Sequence, residues 1–85
     1  MIIIAGADQC PYCNMAKDYL DALNIEYHYT SYKNVPEFLR DKHMTVPQLY
    51  YRDTNGKVKL LVEGGYDGLV AAPKQTLRDL KVNKE

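Results

Sequence analysis

Cys10 and Cys13 are the two cysteines of this 85-residue chain, and Pro11 and Tyr12 stand between them. Two thiols at this spacing can close a small disulfide ring and open it again, which is two-electron redox chemistry. A helical pattern begins at Pro11, which predicts Cys10 at the helix start, where unpaired N–H groups and the helix dipole stabilise a thiolate. Cysteine pKa values in such settings fall to roughly 3.5–7.5. Cys10 is therefore the predicted nucleophile, and Cys13, one turn deeper on the same face, the resolving thiol.

A structural disulfide and half of a zinc site are the two alternative uses of such a pair. No charged segment typical of a signal peptide precedes the apolar run at residues 2–5, so we expect a cytoplasmic, reducing location, where structural disulfides are rare. Zinc takes four ligands at tight spacings, whereas the remaining candidates, His28 and His43, are far apart in sequence. A redox dithiol is favoured over both alternatives, and no metal is expected.

Composition excludes several classes of partner. Eleven basic and eleven acidic residues cancel, so no global field attracts nucleic acid or an anionic membrane. The longest apolar run is far too short to span a bilayer. The eight tyrosines fall largely in strand-like segments, where aromatic residues are simply favoured. We expect one domain over residues 1–85, with neither a nucleic-acid nor a membrane partner.

Four strands are predicted, at residues 2–5, 26–30, 48–52 and 58–62. Asn55-Gly56, between the last two, is a strong hairpin signal. Helical patterns begin at Pro11, cover residues 36–42 with Phe38 facing inward, and begin again near Asp67. The order β-α-β-α-β-β-α predicts an α/β fold in which a parallel pair with a right-handed crossover is extended by an antiparallel hairpin.

Three motifs in this order resemble the glutaredoxin family. Cys10-Pro11-Tyr12-Cys13 is identical to the dithiol motif of many glutaredoxins, and Thr45-Val46-Pro47 matches their Thr-Val-Pro segment. Gly64-Gly65-Tyr66-Asp67 is similar to the Gly-Gly turn before their last helix. The resemblance implies a thioredoxin-like fold, with a four-stranded mixed sheet, flanking helices and a cis peptide before Pro47, which faces the dithiol.

The resemblance also implies glutathione as the reducing co-substrate, with no bound cofactor. The Val46 backbone pairs with the cysteinyl backbone of glutathione, in the manner of strand addition. The N–H groups of Tyr66 and Asp67 hold the γ-glutamyl carboxylate, and the Asp67 side chain holds the amino group; an ordinary helix N-cap is the other role open to Asp67. The complete implied glutathione site is Tyr12, Thr45, Val46, Pro47, Gly65, Tyr66 and Asp67.

The chain departs from the glutaredoxin pattern at three positions. Ala7 stands where many glutaredoxins carry a lysine that contacts the glycine carboxylate of glutathione. His43 replaces an arginine, and Gly68 replaces an acidic residue. Lys42 or His43 is the expected substitute contact for the glycyl end of glutathione.

The function implied by the resemblance is that of an enzyme, a glutathione-dependent thiol-disulfide oxidoreductase that reduces protein disulfides and glutathione mixed disulfides. We expect a monomer whose clients are disulfide-containing proteins, ribonucleotide reductase being the best known in the family. One alternative is a thioredoxin-like electron donor recycled by a flavoprotein reductase. The other is an iron–sulfur carrier in which glutathione ligates the cluster, but cluster-binding relatives usually lack proline at the position of Pro11.

Overall fold

A single mixed β-sheet organises the chain, which the computed structural model describes over residues 1–39 and 46–82. Its strands are β1 (Ile2–Gly6), β2 (Tyr27–Ser31), β3 (Gln48–Arg52) and β4 (Val58–Val62), in the order β2-β1-β3-β4. β1 pairs in parallel with β2 and antiparallel with β3, and β3 pairs antiparallel with β4. The predicted four-stranded mixed sheet of a thioredoxin-like fold is confirmed.

In the described part of the chain, three helices flank the sheet: α1 (Pro11–Ala22), α2 (Gly65–Ala71) and α3 (Lys74–Val82). α1 forms where predicted, and its buried residues lie on one stripe because they are spaced at helical intervals: Cys13, Ala16 and Leu20. Asn24, with a φ of 59°, follows the end of the helix in the left-handed region. The last helical segment starts at Gly65 rather than near Asp67, and it is divided at Pro73.

The segment after β2 differs from its prediction. One short 3₁₀ turn occupies Tyr32–Asn34, ahead of the helix predicted over residues 36–42. A second 3₁₀ turn, Glu37–Leu39, replaces the first part of that helix, and residues 40–45 lie outside the described part of the chain. The inward position predicted for Phe38 is wrong, because its side chain is 85% exposed. A single 3₁₀ turn is too short to bring a whole helical stripe to the sheet, so Leu39 packs inward while Phe38 points away.

Hydrophobic residues form a cluster on each face of the sheet. Alternate residues of β1 point to opposite faces, so Ile2 and Ile4 enter one cluster while Ile3 and Ala5 enter the other. The larger cluster also contains Leu20 from α1 and Leu69 from α2, which fixes both helices on the same face of the sheet. No helix within residues 1–39 and 46–82 is both long and apolar enough to cross a membrane.

Candidate active site

The dithiol lies at the junction between β1 and α1. Cys10 is the N-cap of α1, with extended backbone angles, and Pro11 occupies the first helical position. The Cys10 sulfur accepts a hydrogen bond of 3.1 Å from the Cys13 N–H, one of the donors that a helix start leaves free. The two cysteines form a disulfide, with their Cα atoms 5.2 Å apart.

The two sulfurs differ in accessibility. Cys10 is partly exposed, whereas only 1% of Cys13 is accessible to solvent. A substrate can therefore approach Cys10 from solvent, while Cys13 lies behind it against the core. This arrangement suits the roles predicted for Cys10 as the attacking thiol and Cys13 as the resolving thiol.

Tyr12 and Tyr66 bring two of the sequence motifs together. Their ring centroids are 6.1 Å apart, with an angle of 41° between the ring planes. Tyr12 lies between the two cysteines, two residues after Cys10, and is 57% exposed, and Tyr66 belongs to the first turn of α2. The start of α2 thus borders the dithiol, and two aromatic rings form one wall of the site.

Contact between Gly65 and Pro47 brings the Thr-Val-Pro motif beside the start of α2. Gly65 is buried and has a φ of +61°, and a Cβ built on it would lie 2.6 Å from the Pro47 carbonyl oxygen. Pro47 is fully buried, and the peptide bond that precedes it is cis. Val46 is half-buried beside it, whereas Thr45, Lys42 and His43 lie outside the described residues. The backbone at Pro47 and the turn that starts α2 are therefore in direct contact.

Asp67 lies in the first turn of α2 and is exposed. The alternative role as N-cap is wrong, because Gly64 occupies that position with a φ of 84° and the cap makes no side-chain hydrogen bond. A carboxylate in the first turn remains close to the positive end of the helix dipole. At the next position, a Cβ on Gly68 would overlap the Glu63 carbonyl oxygen, so the acidic side chain common there in glutaredoxins does not fit this backbone.

Three residues near the dithiol were not identified from the sequence. A Cβ on Gly6 would lie 2.8 Å from the Cys13 sulfur and would overlap the Tyr29 hydroxyl, so this position at the end of β1 has room only for glycine. Lys17 lies over the ring of Tyr29. A glycine at the end of a buried strand was the one local signal of such a close approach.

His28, one of the two histidines considered as zinc ligands, is exposed on β2. Across residues 1–39 and 46–82, no three His, Cys, Asp or Glu side chains come together in a group that could hold a metal ion.

Comparison with known proteins adds one positive finding. A protein-family model described as Glutaredoxin matches residues 2–56, which is more than half of the chain. The matched region runs from β1 to the turn between β3 and β4, and it includes both cysteines and Pro47. Searches of curated proteins and of solved structures found no significant match.

Proposed function

Because the chain belongs to the glutaredoxin family, we propose that it is a glutathione-dependent enzyme that reduces protein disulfides and glutathione mixed disulfides. Membership of this family supports thiol-disulfide exchange as the general class of reaction. The observation that carries the proposal is the position of Cys10 at the start of α1, partly exposed, with Cys13 buried one turn behind it. Such a pair can attack an external disulfide and then release the product.

The reaction has two exchange steps. The Cys10 thiolate attacks one sulfur of the substrate disulfide, so that a Cys10–substrate bond forms, the substrate S–S bond breaks, and the first thiolate leaves and takes up a proton from water. Cys13 then loses its proton and attacks the Cys10 sulfur, which releases the second substrate thiolate and leaves the Cys10–Cys13 disulfide. Two glutathione molecules reduce that disulfide and become glutathione disulfide, so two electrons pass from glutathione to the substrate.

The proposed glutathione site extends from the dithiol to the start of α2. The Val46 backbone pairs with the cysteinyl part of glutathione, and the first turn of α2 receives its γ-glutamyl carboxylate. Support for this placement comes from two contacts, the one between the Tyr12 and Tyr66 rings and the close approach of Gly65 to the Pro47 carbonyl. Together these contacts form a continuous surface beside Cys10.

A second candidate is a thioredoxin-like electron donor recycled by a flavoprotein reductase. It is favoured by Ala7 and Gly68, which lack the lysine and the acidic side chain with which many glutaredoxins hold glutathione. Under either candidate we propose that the protein acts as a monomer in a reducing cytoplasm on disulfide-containing clients such as ribonucleotide reductase.

One coupled assay tests the proposal against this competitor. NADPH consumption is followed with a glutathione mixed disulfide as substrate, either with glutathione and glutathione reductase or with thioredoxin reductase alone. The proposal requires turnover in the first mixture, and turnover in the second mixture alone would assign the chain to the thioredoxin-like class. Protein purified without air should be colourless and monomeric, whereas a brown dimer would indicate an iron–sulfur carrier.

Cysteine variants test the assigned roles. Cys10→Ser should abolish all thiol transfer. Cys13→Ser should still reduce glutathione mixed disulfides, because a second glutathione can resolve the intermediate, but it should be trapped as a mixed disulfide with protein substrates. Preferential alkylation of Cys13 in the reduced protein, measured by mass spectrometry, would contradict the assignment of Cys10 as the attacking thiol.

A further inference from the structure

Burial of Cys13, the resolving thiol, opposes the ionisation that its reaction requires. Cys13 is almost completely buried, and burial disfavours the charged form of a thiol. The second exchange step nevertheless requires a Cys13 thiolate, since the thiolate is the nucleophile. A group that stabilises negative charge close to this sulfur would accelerate the step.

The side chain of Tyr29 lies next to the Cys13 sulfur. A Cβ on Gly6 would touch both the Cys13 sulfur and the hydroxyl end of Tyr29, so these two groups are neighbours across the end of β1. The Tyr29 hydroxyl also donates a hydrogen bond of 3.4 Å to the Ala7 carbonyl, which directs the ring toward the loop before α1. The hydroxyl end of the ring is therefore held beside the buried sulfur.

Lys17 is the charged residue that contacts the ring of Tyr29. It follows Cys13 by four residues on α1, so both side chains lie on the same side of the helix. The Lys17 ammonium is 4.4 Å from the centroid of the Tyr29 ring, which is cation–π geometry. Its side chain is half-buried, so the charge is only partly screened by water.

We propose that Lys17, held in place by the ring of Tyr29, stabilises the Cys13 thiolate and accelerates release of the substrate from the mixed disulfide. Lys17 stabilises the nucleophile by its charge, and Tyr29 is a positioning residue that keeps this charge near the sulfur. The inference rests on the proposed function, because it concerns the second step of the same reaction. In that step Cys13 loses a proton to water, its sulfur bonds to Cys10, and the Cys10–substrate bond breaks to release a substrate thiolate.

Charged and titratable side chains come from several elements next to Cys13. α1 contributes Lys17, and β2 contributes Tyr29. The loop after β1 contributes Asp8, an exposed carboxylate that opposes thiolate formation. The turn after β2 contributes Lys33, and both residues line a depression that also includes Gly6 and Tyr29. Lys17 is the cation that lies over the ring of Tyr29, whose hydroxyl end neighbours the Cys13 sulfur.

The two steps can be observed separately with the reduced full-length protein and dithiobis-nitrobenzoate, a disulfide that releases a coloured thiolate. Attack by Cys10 releases the first coloured thiolate, and attack by Cys13 on the mixed disulfide releases the second. Stopped-flow absorbance gives both rates across a range of pH. The variants are Lys17→Met and Lys17→Arg, and the control is Lys57→Met, which removes one exposed charge in the β3–β4 hairpin.

The proposal predicts that Lys17→Met slows the second release by roughly three- to tenfold near pH 7, because one nearby and partly screened charge is lost. The rate should rise again at higher pH to the wild-type plateau, where Cys13 ionises without help. Lys17→Arg should keep most of the wild-type rate, and Lys57→Met should change neither release. An unchanged profile in Lys17→Met, or an equal loss at every pH, would overturn the proposal.

The positioning role of Tyr29 needs its own measurement. In Tyr29→Phe the ring remains, so adding Lys17→Met should still slow the second release. In Tyr29→Leu the ring is gone, and the added Lys17→Met change should have a much smaller effect, a coupling measured by the double-mutant cycle. A full Lys17 effect in Tyr29→Leu would refute the role of Tyr29. Failure of the proposed function is recognised separately, since Cys10 would then give no glutathione-dependent turnover.

Discussion

Substitution of Gly65 tests the contact that joins α2 to the backbone at Pro47. Gly65→Ala places a side chain on a residue with a φ of +61°, and its Cβ would lie 2.6 Å from the Pro47 carbonyl oxygen. The left-handed conformation costs a non-glycine residue roughly 1–2 kcal/mol. The overlap is with backbone rather than with a flexible side chain, and overpacking of this kind costs about 1–3 kcal/mol more. The expected total is about 2–5 kcal/mol, a large share of the stability of a small domain.

Substitutions at two other glycines distinguish the conformational cost from the cost of overlap. Gly64 and Gly56 have φ values of +84° and +85°, but a Cβ on Gly64 would meet its nearest atom at 3.9 Å and one on Gly56 would meet nothing within 4 Å. Gly64→Ala and Gly56→Ala should therefore show only the conformational cost of roughly 1–2 kcal/mol. Each kcal/mol lowers the melting temperature of a domain of this size by about 4–8 °C. The extra overpacking cost should consequently make Gly65→Ala unfold at least about 4 °C below both controls.

Thermal unfolding of the oxidised proteins, followed by circular dichroism, measures this difference. Glutathione-dependent turnover should also fall more in Gly65→Ala than in Gly64→Ala, because displacement of the start of α2 moves Tyr66 relative to Tyr12. If all three variants unfold at the same temperature, the approach of Gly65 to Pro47 is not as close as described. The reasoning that places α2 at the dithiol would then be refuted.

Three further predictions concern the glutathione site and the effect of pH. Asp67→Ala should slow turnover of glutathione mixed disulfides roughly tenfold, because loss of a charged hydrogen bond raises the activation free energy by about 1.5 kcal/mol. A lower melting temperature with unchanged kinetics would show a purely structural role. Ala7→Lys should speed the same turnover by lowering its activation free energy by up to about 1 kcal/mol. Both effects should shrink for a protein disulfide, which has no free γ-glutamyl end. Burial, together with the charge and hydrogen bond of Asp21, raises the pKa of Tyr27 above its ordinary value of 10.0. Tyr27 therefore ionises at lower pH in the unfolded chain than in the folded protein, so the free energy of unfolding should fall as pH rises above 10.0. Denaturant unfolding in alkaline buffers should show a weaker pH dependence for Tyr27→Phe than for the wild type.

The local elements of the site could be predicted from the sequence because their signals lie within a few residues. The apolar run before the dithiol predicts β1, and Pro11 followed by the stripe of Cys13, Ala16 and Leu20 predicts α1 with Cys10 at its start. The hairpin at Asn55-Gly56 is confirmed for the same reason, since Gly56 adopts the left-handed conformation that such a turn requires. These assignments depend on backbone preference and hydrophobic periodicity, which neighbouring residues determine by themselves.

The contacts that complete the site were decided by the tertiary structure. Gly65 meets Pro47 because β4 pairs antiparallel with β3, which brings the end of β4 beside the start of β3. Lys17 meets Tyr29 because β2 lies parallel to β1, the strand that leads into α1. The inward position predicted for Phe38 was wrong because Glu37–Leu39 form a 3₁₀ turn, and an apolar pattern alone does not distinguish such a turn from the start of an α-helix. Contacts between residues far apart in sequence depend on strand order and on how closely two backbones pack. A single sequence therefore identifies the dithiol, and the fold determines which charged and aromatic groups surround it.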